Sequence, residues 1–160
     1  MGNRAVITTA PFDNNAIGIY VHWNGGRASV EGFLLACKEL GYRSPGADRG
    51  YAMARLVCAA GVFFDGGLSL GLGTCKELDC DNGDNGVFLI GDDWEIVGRV
   101  HHRGSEEENT DKAPAIADRL MGRVHHRGSE EINPEKTRAI ADQIMHKIRA
   151  AEAATLEADA

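Results

Sequence analysis

The residues best suited to chemistry lie in one short run, Trp23-Asn24-Gly25-Gly26-Arg27-Ala28-Ser29. Glycines let main-chain N–H groups approach an anion closely, and a helix starting here would add the positive end of its dipole. Arg27 would add a two-pronged contact to a phosphate. The run matches neither a Walker loop nor a dinucleotide fingerprint, so it is no NTPase signature. It equally fits a tight strand-to-helix turn with Ser29 as N-cap.

Two more arginines stand in suggestive places. Arg55 falls inside an apolar stretch, Met53-Ala54-Arg55-Leu56, where a guanidinium must meet an acid, a carbonyl or a ligand anion. Arg99 ends a strand-like run that begins at Trp94, and an arginine near an aromatic ring can hold a nucleotide by stacking and phosphate pairing. A structural ion pair is the commoner fate of such groups. Asn82 and Asn85 carry amides suited to a base edge, but both stand in Asn-Gly pairs, which are turn formers. The candidate ligand-binding set is therefore Trp23, Asn24, Gly25, Gly26, Arg27, Arg55, Asn82, Asn85, Trp94 and Arg99.

Other clusters fail on spacing. Asp79, Asp81 and Asp84 resemble a calcium loop, but Gly83 takes a ligand position and no glutamate closes it. The pairs His101-His102 and His125-His126 point their rings apart on any regular element and have no partner at a zinc spacing. His22 has no Ser, Cys or acid that the sequence can place beside it. No nucleophile elbow, HExxH or framed pair of acids is present. The expectation is a binding protein, not an enzyme, with no metal and no cofactor.

The elements that must position these residues follow from periodicity and punctuation. Residues 4–9 and 16–23 read as strands, broken by Pro11, Asp13, Asn14 and Asn15. A helix from about Ser29 repeats Val30, Phe33, Leu34, Cys37 and Leu40, and Gly41 closes it. A second, about 49–62, aligns Ala52, Leu56 and Ala59, with Tyr51, Met53 and Val57 beside them. Strands follow at 68–74 (with one buried face), 86–90 and 94–100. The order β-β-α-α-β-β-β implies an α+β fold: an antiparallel or mixed sheet of about five strands with two helices on one face. The helix pair is long enough to carry the chain across the sheet.

Beyond residue 97 the chain repeats itself. Gly98–Met121 and Gly122–Met145 align without gaps and agree at 17 of 24 positions. Two copies are too few for a solenoid, which needs about three. Residues 1–97 read as the body and 98–160 as a helical arm. In the second copy, Asn133-Pro134-Glu135 supplies an N-cap, an N1 proline and an acidic first turn. Ile140, Ile144, Ile148 and Ala151 then form a stripe that asks for a partner, either the sheet or a second subunit. In the first copy Pro114 shortens the matching helix or delays its start.

Composition narrows the partners. Of the 160 residues, 43% are apolar, enough for a real core. Net charge is -7, and residues 1–97 hold 7 Lys+Arg against 12 Asp+Glu. Such a surface is a poor match for long nucleic acid, whose binding rests on phosphate neutralisation. A small anion remains suitable, since a few placed cations and a helix N-terminus suffice. No run of 18 apolar residues suggests a membrane span, and the first residues enter a strand-like stretch with no signal-peptide core. Cys37 and Cys58 sit among apolar residues and are expected buried and free, as in a reducing cytosol.

Several stretches carry a family likeness: Met1-Gly-Asn-Arg-Ala-Val-Ile-Thr-Thr9, Ile19-Tyr-Val-His-Trp-Asn-Gly-Gly-Arg27, Gly41-Tyr-Arg-Ser-Pro45, Asp79-Cys-Asp-Asn82, Asn85-Gly-Val87 and Trp94-Glu-Ile-Val-Gly-Arg99. Together, over about residues 1–100, they resemble small prophage proteins of the Thoeris anti-defence sponge type. The resemblance implies a phage protein in the host cytosol that sequesters a cyclic ADP-ribose-type immune signal, or a cyclic oligonucleotide, without cleaving it. It also implies a homo-oligomer, dimer or higher. Aromatic rings would stack the adenine, arginines and helix-start amides would hold the pyrophosphate, and asparagines would read sugar or base edges. The resemblance transfers no ligand residue, and the repeated segment departs from it. Two other functions compete: a protein-protein inhibitor of a host defence complex, of the anti-CRISPR kind, using its acidic surface as a decoy, and a nucleotide-cleaving enzyme.

Overall fold

The computed structural model describes residues 2–66, 70–101 and 132–158. Its five strands are β1 (Ala5–Thr9), β2 (Ile17–Val21), β3 (Leu70–Thr74), β4 (Val87–Ile90) and β5 (Ile96–Val100). They form one sheet in the order β3-β2-β1-β4-β5. The central pair β1–β4 is parallel and the other pairs are antiparallel, so the sheet is mixed. The helices are α1 (Arg27–Glu39), α2 (Arg49–Phe63) and α3 (Pro134–Ala158). The chain is α+β with the expected strand and helix order.

Position in the sheet explains the strand sequences. β1 and β4 lie in the interior, so Ala-Val-Ile-Thr-Thr and Val-Phe-Leu-Ile are buried at every residue. Ala5, Ile7, Ile19, Val21, Phe88 and Ile90 face the helices, with Val30, Phe33, Leu34, Leu56 and Ile144 above them in one core. Val6, Val87, Leu89 and Val100 form a smaller core on the other face. The Thr8 hydroxyl is satisfied by donating to the Ile17 carbonyl at 2.8 Å.

The loop after β3, not the helix pair, carries the chain across the sheet. It runs from the β3 edge to the interior strand β4 and lays Cys75, Leu78 and Cys80 on the second face. Gly18 makes room for it, because a Cβ there would lie 2.9 Å from Leu78 and 3.2 Å from the Cys75 sulfur.

α1 ends where the sequence places its stop. Gly41 takes φ 72°, Tyr42 N–H donates to Cys37 O, and Gly41 N–H donates to Lys38 O. That pattern satisfies the last carbonyls of the helix. Its start differs from expectation. Gly26 is the N-cap, and Ser29 lies inside the first turn, fully buried, with no partner for its hydroxyl among the described residues. The Gly25 N–H donates to Asn3 O at 2.7 Å, which ties the turn to β1 and starts the helix early.

α3 begins as expected, with Asn133 Oδ1 accepting from Lys136 N–H at 2.9 Å and Pro134 as its first residue. The partner of its stripe is neither the sheet nor a second subunit but α1 and the end of α2. Ile140, Ala141, Ile144 and Met145 join the main core, and Ile148 packs against it. Thr137 donates to Ala28 O, Arg138 pairs with Glu39, and Lys147 pairs with Asp65 and donates to Val62 O near the end of α2. The stripe stops there, because Ala151 is exposed. The expected boundary between residues 97 and 98 falls inside β5. The first-copy helix around Pro114, and His102, His125 and His126, lie outside the described residues.

Three smaller expectations are corrected. Cys37 is buried, but Cys58 is exposed on the outer side of α2. Trp94 precedes β5 in a tight turn with φ 60° and is buried, instead of opening the strand. Residues 68 and 69 lie outside the described residues, and β3 has no fully buried face, since Leu72 is 62% exposed. No helix among the described residues is long and apolar enough to cross a membrane.

Candidate functional site

The structure gathers the candidate residues, all but Arg55 and Trp94, at one end of the sheet, where β1 starts, β2 ends and α1 begins. Most of them are occupied in holding the chain together. Asn24 takes φ 55°, and Gly25 is pressed so close to β1 that a Cβ would lie 2.6 Å from Asn3 O. Gly26 caps α1 in an extended conformation. The Arg27 guanidinium is engaged by Glu31 one turn on, at 2.7 Å. Trp23 is 46% exposed and meets His22 edge-on, with centroids 4.9 Å apart.

Asn82 and Asn85 are buried brackets. Asn82 donates to Asp79 O and Gly86 O and accepts from the N–H groups of Asp84 and Gly86. Asn85 donates to Asn3 Oδ1 and Arg4 O, and its side-chain and main-chain oxygens accept from Arg99 at 3.0 and 2.6 Å. Arg99 also lies over the Phe88 ring, 4.8 Å from its centre. Beside them the Arg4 Nε donates to Asp84 at 2.8 Å. The bonds from Arg4 hold the Asp84 carboxyl below its usual range. The turn glycines Gly83 and Gly86 take φ 71° and 67°, as Asn-Gly turns require.

Trp94 and Arg99 do not meet. They stand at opposite ends of β5, and the Trp94 indole donates to Tyr42 O at 3.3 Å. Arg55 lies between tyrosines, 4.9 Å from the Tyr51 ring centre and 5.2 Å from that of Tyr42. Arg43 lies 4.2 Å from the centre of the same Tyr51 ring. A hydrogen bond with Tyr51 raises the Arg55 pKa further, so the group stays charged. Among the described residues Arg55 has these aromatic contacts and not the ion pair expected of it.

An open cleft lies on the other flank of α2. Tyr51 and Arg55 share one side of that helix, whereas Arg49, Met53 and Val57, four residues apart, share the other. The cleft has a volume of about 590 Å³ and lies between those first turns and the sheet edge. α2 does not cover the near end of β2 and β3, so Ile17 and Leu72 remain 47% and 62% exposed. They lie on the helix-side face because Ile19 pairs with Leu72 and Ile17 with Thr74. Ala54 and Met53 complete the apolar wall.

The polar groups at this cleft are Thr9, Asp13 and Arg49. Arg49 is the first residue of α2 and forms no ion pair among the described residues. The N-cap Asp48 takes the Tyr51 N–H at 3.0 Å, while the N–H groups of Arg49 and Gly50 stand ahead of any intrahelical acceptor. A guanidinium, two helix-start amides and an apolar wall suit a small amphipathic anion.

Sequence reasoning missed Arg49, Asp13, Ile17 and Leu72. The available signal was the surplus of apolar residues on α2, where Met53 and Val57 flank a stripe already complete in Ala52, Leu56 and Ala59. Among the described residues no group of three His, Cys, Asp or Glu side chains is placed to hold a metal ion. Fold and cleft together define a small α+β protein with an open, mostly apolar recess at a helix start. Comparison with protein-family models, curated proteins and solved structures found no match.

Proposed function

We propose that this protein is a phage-encoded anti-defence protein that captures a small cyclic nucleotide signal and releases it intact. The signal is of the cyclic ADP-ribose type or a cyclic oligonucleotide, and the protein acts in the host cytosol as a homo-oligomer. One observation carries this reading: the cleft sets Arg49, at the start of α2 and without an ion pair among the described residues, opposite an apolar wall within about 590 Å³. That volume lies within the range of small-molecule sites, about 300–1,000 Å³. The phosphates would lie on Arg49 and the first amides of α2. A base would lie flat on Ile17, Val57 and Leu72, and Asp13 would accept from an amino group or a ribose hydroxyl. This site differs from the candidate set drawn from sequence, most of which is occupied by internal bonds. It also lacks the stacking rings expected for adenine, and the exposed Ile17 and Leu72 side chains offer an aliphatic surface in their place.

The test is calorimetric titration of the full chain with cyclic ADP-ribose isomers and with cyclic di- and trinucleotides. Heat release and mass analysis of the ligand follow. Arg49→Ala weakens binding about tenfold to a hundredfold, as expected for one charge-assisted contact. Arg27→Ala and Arg55→Ala, outside the cleft, leave it unchanged. Uptake of none of these nucleotides rejects the reading. Recovery of degraded ligand favours a nucleotide-cleaving enzyme instead.

A second reading has its own support. Ile17 of β2 and Leu72 of β3 are exposed together, and β3 is an edge strand among the described residues; such a surface suits a protein partner. An inhibitor of a host defence complex would form a stable complex with a defence protein and take up no nucleotide.

A further inference from the structure

We propose that Cys75 and Cys80 form an oxidisable dithiol site that closes to a disulfide on exposure to a small peroxide. The two residues bracket the first turn of the loop that crosses the second face of the sheet. The Cys80 sulfur donates to Cys75 O at 3.2 Å, and both side chains pack into the same small core on that face.

The local chemistry divides the roles. The neighbouring Cys80 thiol lowers the Cys75 pKa to about 7, while the same pairing and burial raise that of Cys80. Cys75 is therefore the thiolate and the attacking sulfur. It is only 3% exposed, whereas Cys80 is half-buried, so the oxidant must be as small as hydrogen peroxide. The Cys75 sulfur attacks one peroxide oxygen, the O–O bond breaks, and hydroxide leaves a sulfenic acid behind. The Cys80 sulfur then displaces that oxygen and the S–S bond forms. The protons of both thiols end on two waters, so one peroxide is reduced as one disulfide is made. The other two cysteines are unsuited: Cys37 is buried with its thiol pushed up to about 12, and Cys58 lies exposed on α2.

The bond would tie the end of β3 to the turn whose Asp84 and Asn85 hold Arg4 and Arg99. The experiment uses the full chain carrying Cys58→Ser, treated with hydrogen peroxide at neutral pH, quenched with an alkylating agent and digested with trypsin. Lys76 lies between the two cysteines, so cleavage there leaves two peptides that only a disulfide can join. The expected result is a linked pair of mass two hydrogens below the sum, absent after thiol reduction and absent in Cys75→Ser. Its rate of formation rises with pH around 7 instead of 9. The oxidised chain melts at a higher temperature than the reduced one. Separate oxidation of either sulfur to sulfinic acid without a link overturns the proposal. So does survival of both thiols under conditions that oxidise the urea-unfolded chain.

Discussion

Ile140 of α3 sits directly against Gly32 of α1: a Cβ at residue 32 would lie 2.7 Å from both the Cβ and a methyl of Ile140, and 3.0 Å from Thr137 O. The missing side chain is what lets the two helices touch. Gly32→Ala is therefore expected to destabilise the protein by about 1 kcal/mol. The clash, about 1–3 kcal/mol, outweighs the roughly 1 kcal/mol that alanine returns as a better helix former. Urea unfolding measures the difference, and a gain in stability from Gly32→Ala would mean that α3 does not seat on α1 as described.

The two copies of the repeat offer a matched pair of deletions. Removing residues 101–124 leaves one repeat that keeps Asn133, Pro134, Thr137 and Arg138, whereas removing 122–145 leaves one in which Ala113 and Pro114 replace Thr137 and Arg138. The second chain loses the hydrogen bond to Ala28 and the pair with Glu39, and the proline at the position of Arg138 is expected to cost the helix its first turn. It should be less stable than the first by about 2–3 kcal/mol, mostly from the proline. Equal melting curves would show that the helix start contributes little.

Acid should weaken the protein partly through Asp84. Its folded-state pKa is lowered by Arg4, so its contribution is full above the unfolded value of about 4 and is lost as pH falls through the lower folded value. Asp84→Asn should lower stability at neutral pH and flatten the loss below pH 4. Denaturant midpoints measured from pH 7 to pH 2 read both effects.

Asn82 makes the opposite kind of prediction from a ligand residue. Its side chain holds two carbonyls and two N–H groups of its own turn. Asn82→Ala strands the buried groups of Gly86 and should cost about 2–3 kcal/mol. Binding at the α2 cleft, measured below the melting temperature, should not change.

The sequence was informative where a residue's fate depends on near neighbours. Gly41 ends α1 and Asn133-Pro134 starts α3 because caps are local geometry. β4 is legible as a buried strand because Val-Phe-Leu-Ile leaves no polar face. The site was less legible because its walls come from elements far apart in sequence: Ile17 and Leu72 meet only through strand pairing, and Arg49 reaches them only through the placement of α2. The asparagines misled for the same reason. Asn85 is satisfied by Asn3, Arg4 and Arg99, which local sequence does not bring together. Cys58 was misplaced because α2 is apolar on more than one side, so periodicity could not say which side faces out.

The middle of the sheet also sets how fast the chain reaches its native state. Val6 pairs with Val87, and Thr9 with Ile90, across most of the length of the body. Such distant pairing gives a high contact order, and its closure entropy is lost before any of the pairing is gained. Refolding should be slow for a protein of this size. Until β4 arrives, one side of β1 remains an open edge with its main-chain hydrogen bonds unmade, the state in which a nascent chain is most prone to aggregate.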